Sequence, residues 1–573
     1  MKTVLVNLSA LALLTALVSV HAEEAPDTIF LNGKIVTVDD YWSIEEAVAV
    51  RGNAIQAVGS NQEINSLKGD STLVLDLQGR TVIPGLIDNH NHVVRATEYW
   101  PNDARLDGVT SRSEALALLK AKADELPPGE WLMSLGGWAE SQFGDSRRDF
   151  TLAELDAISR DRPVFVQSVY DHAYGNTAWF NAMEIPLAAS KSEQENAEGL
   201  ASYVLRDNQG RATGRLNGGF AMIAKAIARF PAVPAEKQAA AIKTAMTFLN
   251  SIGLTAIYDP GGVGIKQESY ERIRQMSASE GIPVRVFHTL NTDVPREPEQ
   301  AREFIERIKT TKPFQGDAAI DMIAMGEIYY GPFHWDNTLT PVTPTDEDMA
   351  IGKEILMAAA AGGWPVQTHA MQPETIDVLL DVFEEVNQEH PMRHLRWSIA
   401  HADNIGPEQF ERARHLGLNL QLRSTPVLGD RASIQDKFGD ASYQMPRLRS
   451  VQESGIPFGL GTDGTKGNQI NPFVTLWWAV SGKALNDDVV THQTLSREEA
   501  LIAHTRSNAY LIFQEARLGA IRPGLLADML VLDRDYLSVP MDEIKDIRPV
   551  ATIVDGEIVF GSILPLATTQ PPP

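Results

Sequence analysis

Six residues recur at equivalent places along this 573-residue chain and are of the types that hold metal ions. His90 and His92 close the apolar run 82–88. Glu327 follows Met325-Gly326, and His369 ends Trp364-Pro365-Val366-Gln367-Thr368-His369. His401 ends Trp397-Ser398-Ile399-Ala400-His401, and Asp463 follows Phe458-Gly459-Leu460-Gly461-Thr462. One residue separates His90 from His92, so on a buried strand both rings share a face. There is no cysteine, which removes thiolate ligands and disulfides and leaves His, Asp, Glu or a modified Lys to hold a metal. Such nitrogen and oxygen donors suit zinc, and an open coordination position holds a water whose pKa the metal lowers. Asp463 is placed to take that water's proton and pass it to a leaving nitrogen. Any one of these residues alone reads more simply as a satisfied polar side chain; the set of six reverses that reading.

The elements that must bring them together are strands alternating with helices. Apolar runs at 131–135, 164–170, 255–258, 284–290, 320–330, 365–369, 397–401, 418–422 and 458–460 join the opening run at 82–88. They alternate with helical patterns at 112–124, 236–251, 299–309, 346–361, 373–388 and 407–416. This alternation predicts a parallel sheet, and its length fits a (β/α)8 TIM barrel, whose functional side chains gather at the C-terminal ends of the strands. Ten candidates compete for eight places, with 131–135 and 164–170 the least secure. The barrel is expected over 84–507, with a cap inserted at about 181–229. Short β segments with turn signals, including Asn32-Gly33 and Asp555-Gly556, fill residues 23–83 and 508–565. They predict one small β-sandwich domain made from both chain ends. The tail 566–573 is expected to be disordered.

Composition narrows the class. Fifty basic residues against 75 acidic ones give a net charge of −25, which argues against nucleic acid and against docking on anionic lipid. Lys2, the apolar stretch 4–20 and Val20-His21-Ala22 read as a cleavable signal peptide over residues 1–22. The mature protein is therefore expected to be exported, most simply to a bacterial periplasm, with no membrane association after cleavage. Its expected partner is a small-molecule substrate. The oligomeric state is open, with a homodimer as one candidate.

The chain resembles the amidohydrolase superfamily, and within it the amidohydrolase 3 group that includes N-substituted formamide deformylases. Pro84 to His92 looks like the opening metal motif of that family. Trp397 to His401 and Gly461-Thr462-Asp463 look like its later His and Asp motifs, and Ala520 to Asp528 resembles its return into the β domain. The resemblance implies that His90 and His92 bind one metal, that His369 and His401 bind a second, and that Asp463 is ligand and general base. Many relatives bridge two metals with a carbamylated lysine; here the matching position is Glu327, whose carboxylate can bridge two cations. Two zinc ions are preferred over one. The segment Asp171-His172-Ala173 resembles one near the substrate, so His172 is expected to donate to the scissile carbonyl oxygen. Tyr170, Trp179, Tyr329, Tyr330 and Trp335 are candidate pocket aromatics. Relatives often carry an acidic residue shortly after Thr213-Gly214, where this chain has Leu216-Asn217-Gly218-Gly219.

The expected activity is hydrolysis of a C–N bond in an amide, formamide or cyclic amide, outside peptide bonds. Two rivals stand beside it: an esterase, lactonase or carbamate hydrolase on the same site, and a catalytically dead exported binding protein. The complete ligand set weighs against the second.

Overall fold

The computed structural model describes residues 24–262, 264–291, 294–337 and 339–565. The segment read as a signal peptide, 1–22, and the tail 566–573 lie outside them. Among the described residues no helix is long and apolar enough to cross a membrane.

Eight parallel strands carry the centre of the molecule, in two sheets of four. One sheet runs, in spatial order, Ile320–Met325, Arg285–Leu290, Leu254–Asp259 and Leu86–Asp88; the other runs Gln367–Ala370, Ser398–His401, Asn419–Arg423 and Phe458–Gly461. Nearly every residue in these strands is buried, as expected where helices cover a parallel sheet. The covering helices include Arg112–Glu125 beside the inserted sheet and Ala235–Ser251, Pro298–Thr310, Asp346–Ala361, Pro373–Glu389 and Pro407–Leu416 around the strands. All six match the helical patterns in the sequence to within a residue or so.

No continuous ladder closes the two sheets into one ring, and single contacts span the two seams instead. At one, Met325 bridges Val366 in parallel register and donates its N–H to Pro365 O at 2.9 Å. At the other seam Asp463 N donates to His90 O (2.8 Å) just past the strand ends, and side chains span the strands themselves. The Asn508 amide donates to Ile87 O and to Leu460 O (2.5 and 2.7 Å), joining the first strand to the last. Asn508 Oδ1 in turn accepts from Asn89 Nδ2 at 2.6 Å. Glycine is required opposite it, because a Cβ on Gly459 would stand 1.8 Å from Asn508 Oδ1. Just above, Asp88 Oδ1 accepts from Thr462 N (3.0 Å) and Asp88 Oδ2 from Thr462 Oγ1 (2.5 Å).

The chain ends pair with each other. Thr81–Pro84 lies antiparallel to Met529–Leu532, within a six-stranded sheet that also holds Lys34–Val36, Ile44–Glu45, Pro549–Val554 and Glu557–Gly561. A four-stranded sheet of Ala54–Gly59, Ala47–Arg51, Thr28–Leu31 and Leu73–Asp76 shares its core, through Phe30, Val48, Ile35, Val82, Met529 and Ile553. Buried Arg285 ties this end of the molecule to the parallel strands, with Nε and Nη2 on Asp528 (2.8 and 2.9 Å) and Nη2 on Asp555 (2.7 Å).

The two least secure strand candidates fall outside the parallel strands. Leu132–Leu135 and Val164–Ser168 belong to a separate five-stranded sheet with His172–Gly175, Ala212–Asn217 and Val204–Arg206. That sheet begins well ahead of the 181–229 stretch expected as a cap, because its first two strands pair in parallel and mimic the barrel pattern. The insertion is fastened to the loop after Phe458–Gly461: Arg105 Nη2 donates to Thr465 O at 2.9 Å, and Gly137 N to Lys466 O at 3.3 Å.

Replacing Asn508 with Ala leaves Ile87 O its His504 Nδ1 partner but strips Leu460 O and the Asn89 amide of their Asn508 bonds. The expected cost is about 2–6 kcal/mol, at roughly 1–3 kcal/mol for each of these two groups, read as a lower urea midpoint with an unchanged slope.

Candidate metal centre

Each of the six residues sits at or just beyond the C-terminal end of a parallel strand. The opening run breaks sooner than expected: Thr81–Pro84 serves the end sheet, Leu86–Asp88 the parallel strands, and His90 and His92 follow the latter. Their segment still continues the sheet, since Asn91 N donates to Tyr258 O (2.9 Å) and His92 N to Gly464 O (2.5 Å). Glu327 likewise lies two residues past its strand, held where Glu327 N donates to Pro260 O (2.7 Å) and His369 N to Glu327 O (3.2 Å). His401 and Asp463 have φ values of 73° and 56°, in the left-handed region that costs a non-glycine residue about 1–3 kcal/mol and clusters at functional sites.

All six converge. The Glu327 carboxylate is the centre, with Oε2 at 3.3 Å from His90 Nε2, 3.4 Å from His401 Nε2 and 3.6 Å from His369 Nδ1, and Oε1 at 3.3 Å from His92 Nε2. Asp463 Oδ1 stands 3.3 Å from His92 Nε2 and 3.7 Å from His90 Nε2. Two ligand groups result, His90–His92–Glu327 and Glu327–His369–His401, with Glu327 common to both. His90 Nε2 and Glu327 Oε2 are fully buried and make no hydrogen bond among the described residues. Buried polar atoms are rarely left so, and lone pairs facing one point fit a cation there.

The outer partners set which nitrogen coordinates. His92 Nδ1 faces Gly261 O at 3.1 Å, so its proton sits there and Nε2 is bare. Gln367 Nε2 lies 3.2 Å from His90 Nδ1; exchanging the two similar ends of that amide lets its oxygen accept the Nδ1 proton and leaves His90 Nε2 bare. His369 is reversed: Nε2 lies 3.0 Å from the buried Asp336 Oδ1, which leaves Nδ1 toward Glu327. Asp336 Oδ2 is fixed by the N–H groups of Met371 and Gln372 (2.8 and 3.1 Å). Arg423 Nη1 holds Asp463 Oδ2 at 2.7 Å while its Nη2 holds Asp403 at 2.6 Å.

Burial by itself would raise the Glu327 carboxyl, but His90, His369 and His401 reverse this and hold it well below the usual range. Asp463 is likewise kept low against burial by His92, His401 and Arg423. In the metal-free site burial opposes protonation of His369, yet Asp336 and Glu327 push it up to about 10. His401, buried beside Arg423 and His369, drops to about 3 and stays neutral, as a ligand must.

His172 is placed differently from expectation. Its Nδ1 lies 2.7 Å from Asp171 Oδ2 and its Nε2 3.0 Å from both Glu140 Oε1 and Tyr174 Oη, so both nitrogens face partners within the insertion. Tyr170, two residues earlier, faces the centre: its ring packs against Gly467 beside Asp463, and Arg95 donates to its hydroxyl. Burial pushes that hydroxyl up to about 12, so it keeps its proton. The other candidate aromatics serve elsewhere. Trp179 packs on Phe165 in the insertion core, Tyr329 and Tyr330 bond Thr368 and Asp348, and exposed Trp335 stacks with Arg296. Arg95, Asp336 and Arg423 carried no sequence signal, since nothing in their spacing relates them to the ligands. A cavity of about 210 Å³ opens beside the Asp463–Arg423 pair, under the insertion.

The amidohydrolase family profile matches residues 73–560, and the chain belongs to that family. It is 24% identical over 549 residues to N-substituted formamide deformylase of Arthrobacter pascens, spanning 93% of this chain and 98% of the relative. Among solved structures, a metal-dependent hydrolase from Pyrococcus horikoshii superposes with a TM-score of 0.59 at 20% identity, over 90% of this chain and 99% of its own. An adenosine deaminase from Xanthomonas campestris with bound zinc reaches a TM-score of 0.50 at 13% identity, over 93% of each chain.

Elemental analysis of the purified protein is expected to give two metal ions per chain, falling to one or none in Glu327→Ala; an unchanged content would remove Glu327 from the site. Because Asp336 and Glu327 keep His369 doubly protonated at neutral pH, with its titration pushed up to about 10, metal uptake at its Nδ1 must expel a proton. Calorimetry in buffers of different ionisation enthalpy should register release of about one proton or more, with affinity climbing as pH rises from 6 toward 10.

Proposed function

From membership of the amidohydrolase family and the two ligand groups that share Glu327, we propose an exported hydrolase acting on a carbon–nitrogen bond of a small amide, formamide or cyclic amide. The convergence of four imidazoles on one buried carboxylate, with Asp463 beside them, carries this reading. The donor set favours zinc, and His90 and His92 with Glu327, and His369 and His401 with the same carboxylate, would hold it. A metal held there supplies Lewis acidity and a water of lowered pKa.

The chain's own residues do the rest. Arg423 clamps Asp463 Oδ2, so Oδ1 alone faces the reacting centre (2.7 Å against 3.3 Å to His92 Nε2). Asp463 Oδ1 takes the proton of the attacking water and returns it to the leaving nitrogen. A carboxyl whose ionised form is this strongly favoured is a weak base but a ready donor, and protonating nitrogen is the harder demand of amide cleavage. Tyr170, rather than His172, donates to the carbonyl oxygen as negative charge grows on it; Arg95 fixes the hydroxyl and leaves its proton free to point at substrate. His172, held by two carboxylates, stiffens the insertion that carries Tyr170.

We read the eight strands as one (β/α)8 barrel over residues 84–507 and the two end sheets as a β-sandwich from 23–83 and 508–565. Export rests on the signal-like sequence of residues 1–22.

With metal content unchanged, Asp463→Asn should lose at least about 10³-fold in kcat on an amide substrate. Tyr170→Phe should lose about 10²-fold in kcat with little change in KM, the loss typical of one oxyanion donor. Full activity in Asp463→Asn would sink the mechanism, and an equal loss in His172→Gln but none in Tyr170→Phe would reverse the assignment of the donor.

A further inference from the structure

The cavity beside Arg423 holds a buried cation that no carboxylate among the described residues meets in an ion pair, although Asp403 lies near enough to favour its charge. Its wall is apolar along one side, with Val169, Leu428, Ile434 and Met445, and Gly467 and Arg423 lead from it to the metal centre. Arg431 also lines it, at 4% exposure. Arg431 Nη1 donates to Met445 O (3.2 Å) and Nη2 to Ser442 O (2.5 Å), which pins the guanidinium against the loop 442–445. Its Nε has no hydrogen-bond partner among the described residues, and no carboxylate there forms an ion pair with it. The neighbouring arginine shows the contrast: Arg423 is equally buried but is met by both Asp403 and Asp463.

An arginine cannot discharge itself by losing its proton, so one buried without a counter-ion is costly unless something else supplies the anion. Two carboxylates also line the cavity. Asp403 is committed to Arg423 at 2.6 Å, and Asp430 stands at the exposed rim, where water screens it. Neither occupies the Nε edge of Arg431. The guanidinium spends only two of its five N–H groups on the loop carbonyls, and its planar fork matches a carboxylate. A cavity of about 210 Å³ exceeds the 150 Å³ that holds benzene in an engineered apolar site, so a ring or short branched chain fits between the metal centre and Arg431.

We propose that Arg431 is the anion-binding residue of the substrate pocket, and that the substrate is an amide whose apolar group ends in a carboxylate. This deepens the hydrolase reading and rests on it for the identity of the ligand as substrate. The anion is taken up at the end remote from the scissile bond. There it orients the substrate without touching the reacting atoms, so Arg431 is a specificity residue.

The test is a matched pair of probes, 4-phenylbutanoate and the neutral, non-hydrolysable ketone 5-phenylpentan-2-one, titrated calorimetrically into the metal-loaded full chain. The acid should bind about 10- to 100-fold more tightly than the ketone, the range for one charge-assisted hydrogen-bonded pair. That preference should disappear in Arg431→Gln while the affinity for the ketone stays as it was. Equal affinities in the wild type overturn the proposal, and so does an acid preference that survives Arg431→Gln, since the acid would then be bound at the metal. Should Arg431→Gln lose both probes because loop 442–445 collapses, Ile434→Glu decides. It leaves the arginine's loop bonds intact and offers it an internal carboxylate, and it must abolish the acid's advantage; an undiminished advantage overturns the proposal. None of these titrations scores turnover. A protein that binds the acid through Arg431 yet hydrolyses no amide would sink the hydrolase reading alone.

Discussion

Glu327 buries a carboxylate almost out of contact with bulk water, and ionising it there is expensive unless positive charge surrounds it. Four imidazoles meet it within 3.3–3.6 Å, each arriving from the end of a different strand or from the segment just after the first. Every one of them needs its second ring nitrogen or its backbone fixed, and the surrounding architecture follows from that demand. Asp336 exists in its buried position to orient His369, Gly261 O to orient His92, and Gln367 to orient His90. The loop after Leu254–Asp259 serves two ligands at once, because Pro260 O receives the Glu327 N–H while Gly261 O faces His92. Remove the shared carboxylate and the histidines become mutually repelling bases around an empty point.

Bringing ligands from both four-stranded sheets to one point requires the seams between the sheets to hold. Backbone bonds span the seam between the first and last strands only beyond their ends, where Asp463 N donates to His90 O and His92 N to Gly464 O. Asn508 bridges backbone carbonyls of those strands, and Asp88 grips Thr462 one residue before Asp463. The same contacts therefore close the strands and aim Asp463. Glycine at 459 is the complement of this arrangement, since the strand must approach a side chain where a neighbour's backbone would ordinarily run. The left-handed conformations of His401 and Asp463 are sustained by the same surroundings.

The insertion decides what the centre can meet. Its five-stranded sheet is pinned by Arg105 and Gly137 to the loop that follows Asp463, and it delivers Tyr170 over that loop. His172, on the adjacent strand, is drawn inward by Glu140 and Asp171. Opposite, the loop 425–446 supplies the apolar wall and Arg431. The candidate metal-holding residues and the groups proposed to meet substrate thus come from different layers of the molecule.

The convergence of these six residues was legible in the sequence, because a metal site would need such donors and parallel strands present them at a fixed place, the C-terminal end of each apolar run. Glu327 was recognisable there for the same reason, and the helices were legible from their periodicity. Strand ends were less so: the runs at 82–88 and 320–330 hid a change of sheet and a turn that composition does not mark. Leu132–Leu135 and Val164–Ser168 imitated barrel strands, since two parallel strands buried on both faces look alike wherever they pair. Only the tertiary structure chose Tyr170 over His172 to face the centre, because that depends on which carboxylates reach His172 first. Arg95, Asp336, Arg423 and Arg431 were invisible for one physical reason. A side chain's role is set by what stands within a few ångströms of it, and those neighbours lie tens to hundreds of residues away along the chain.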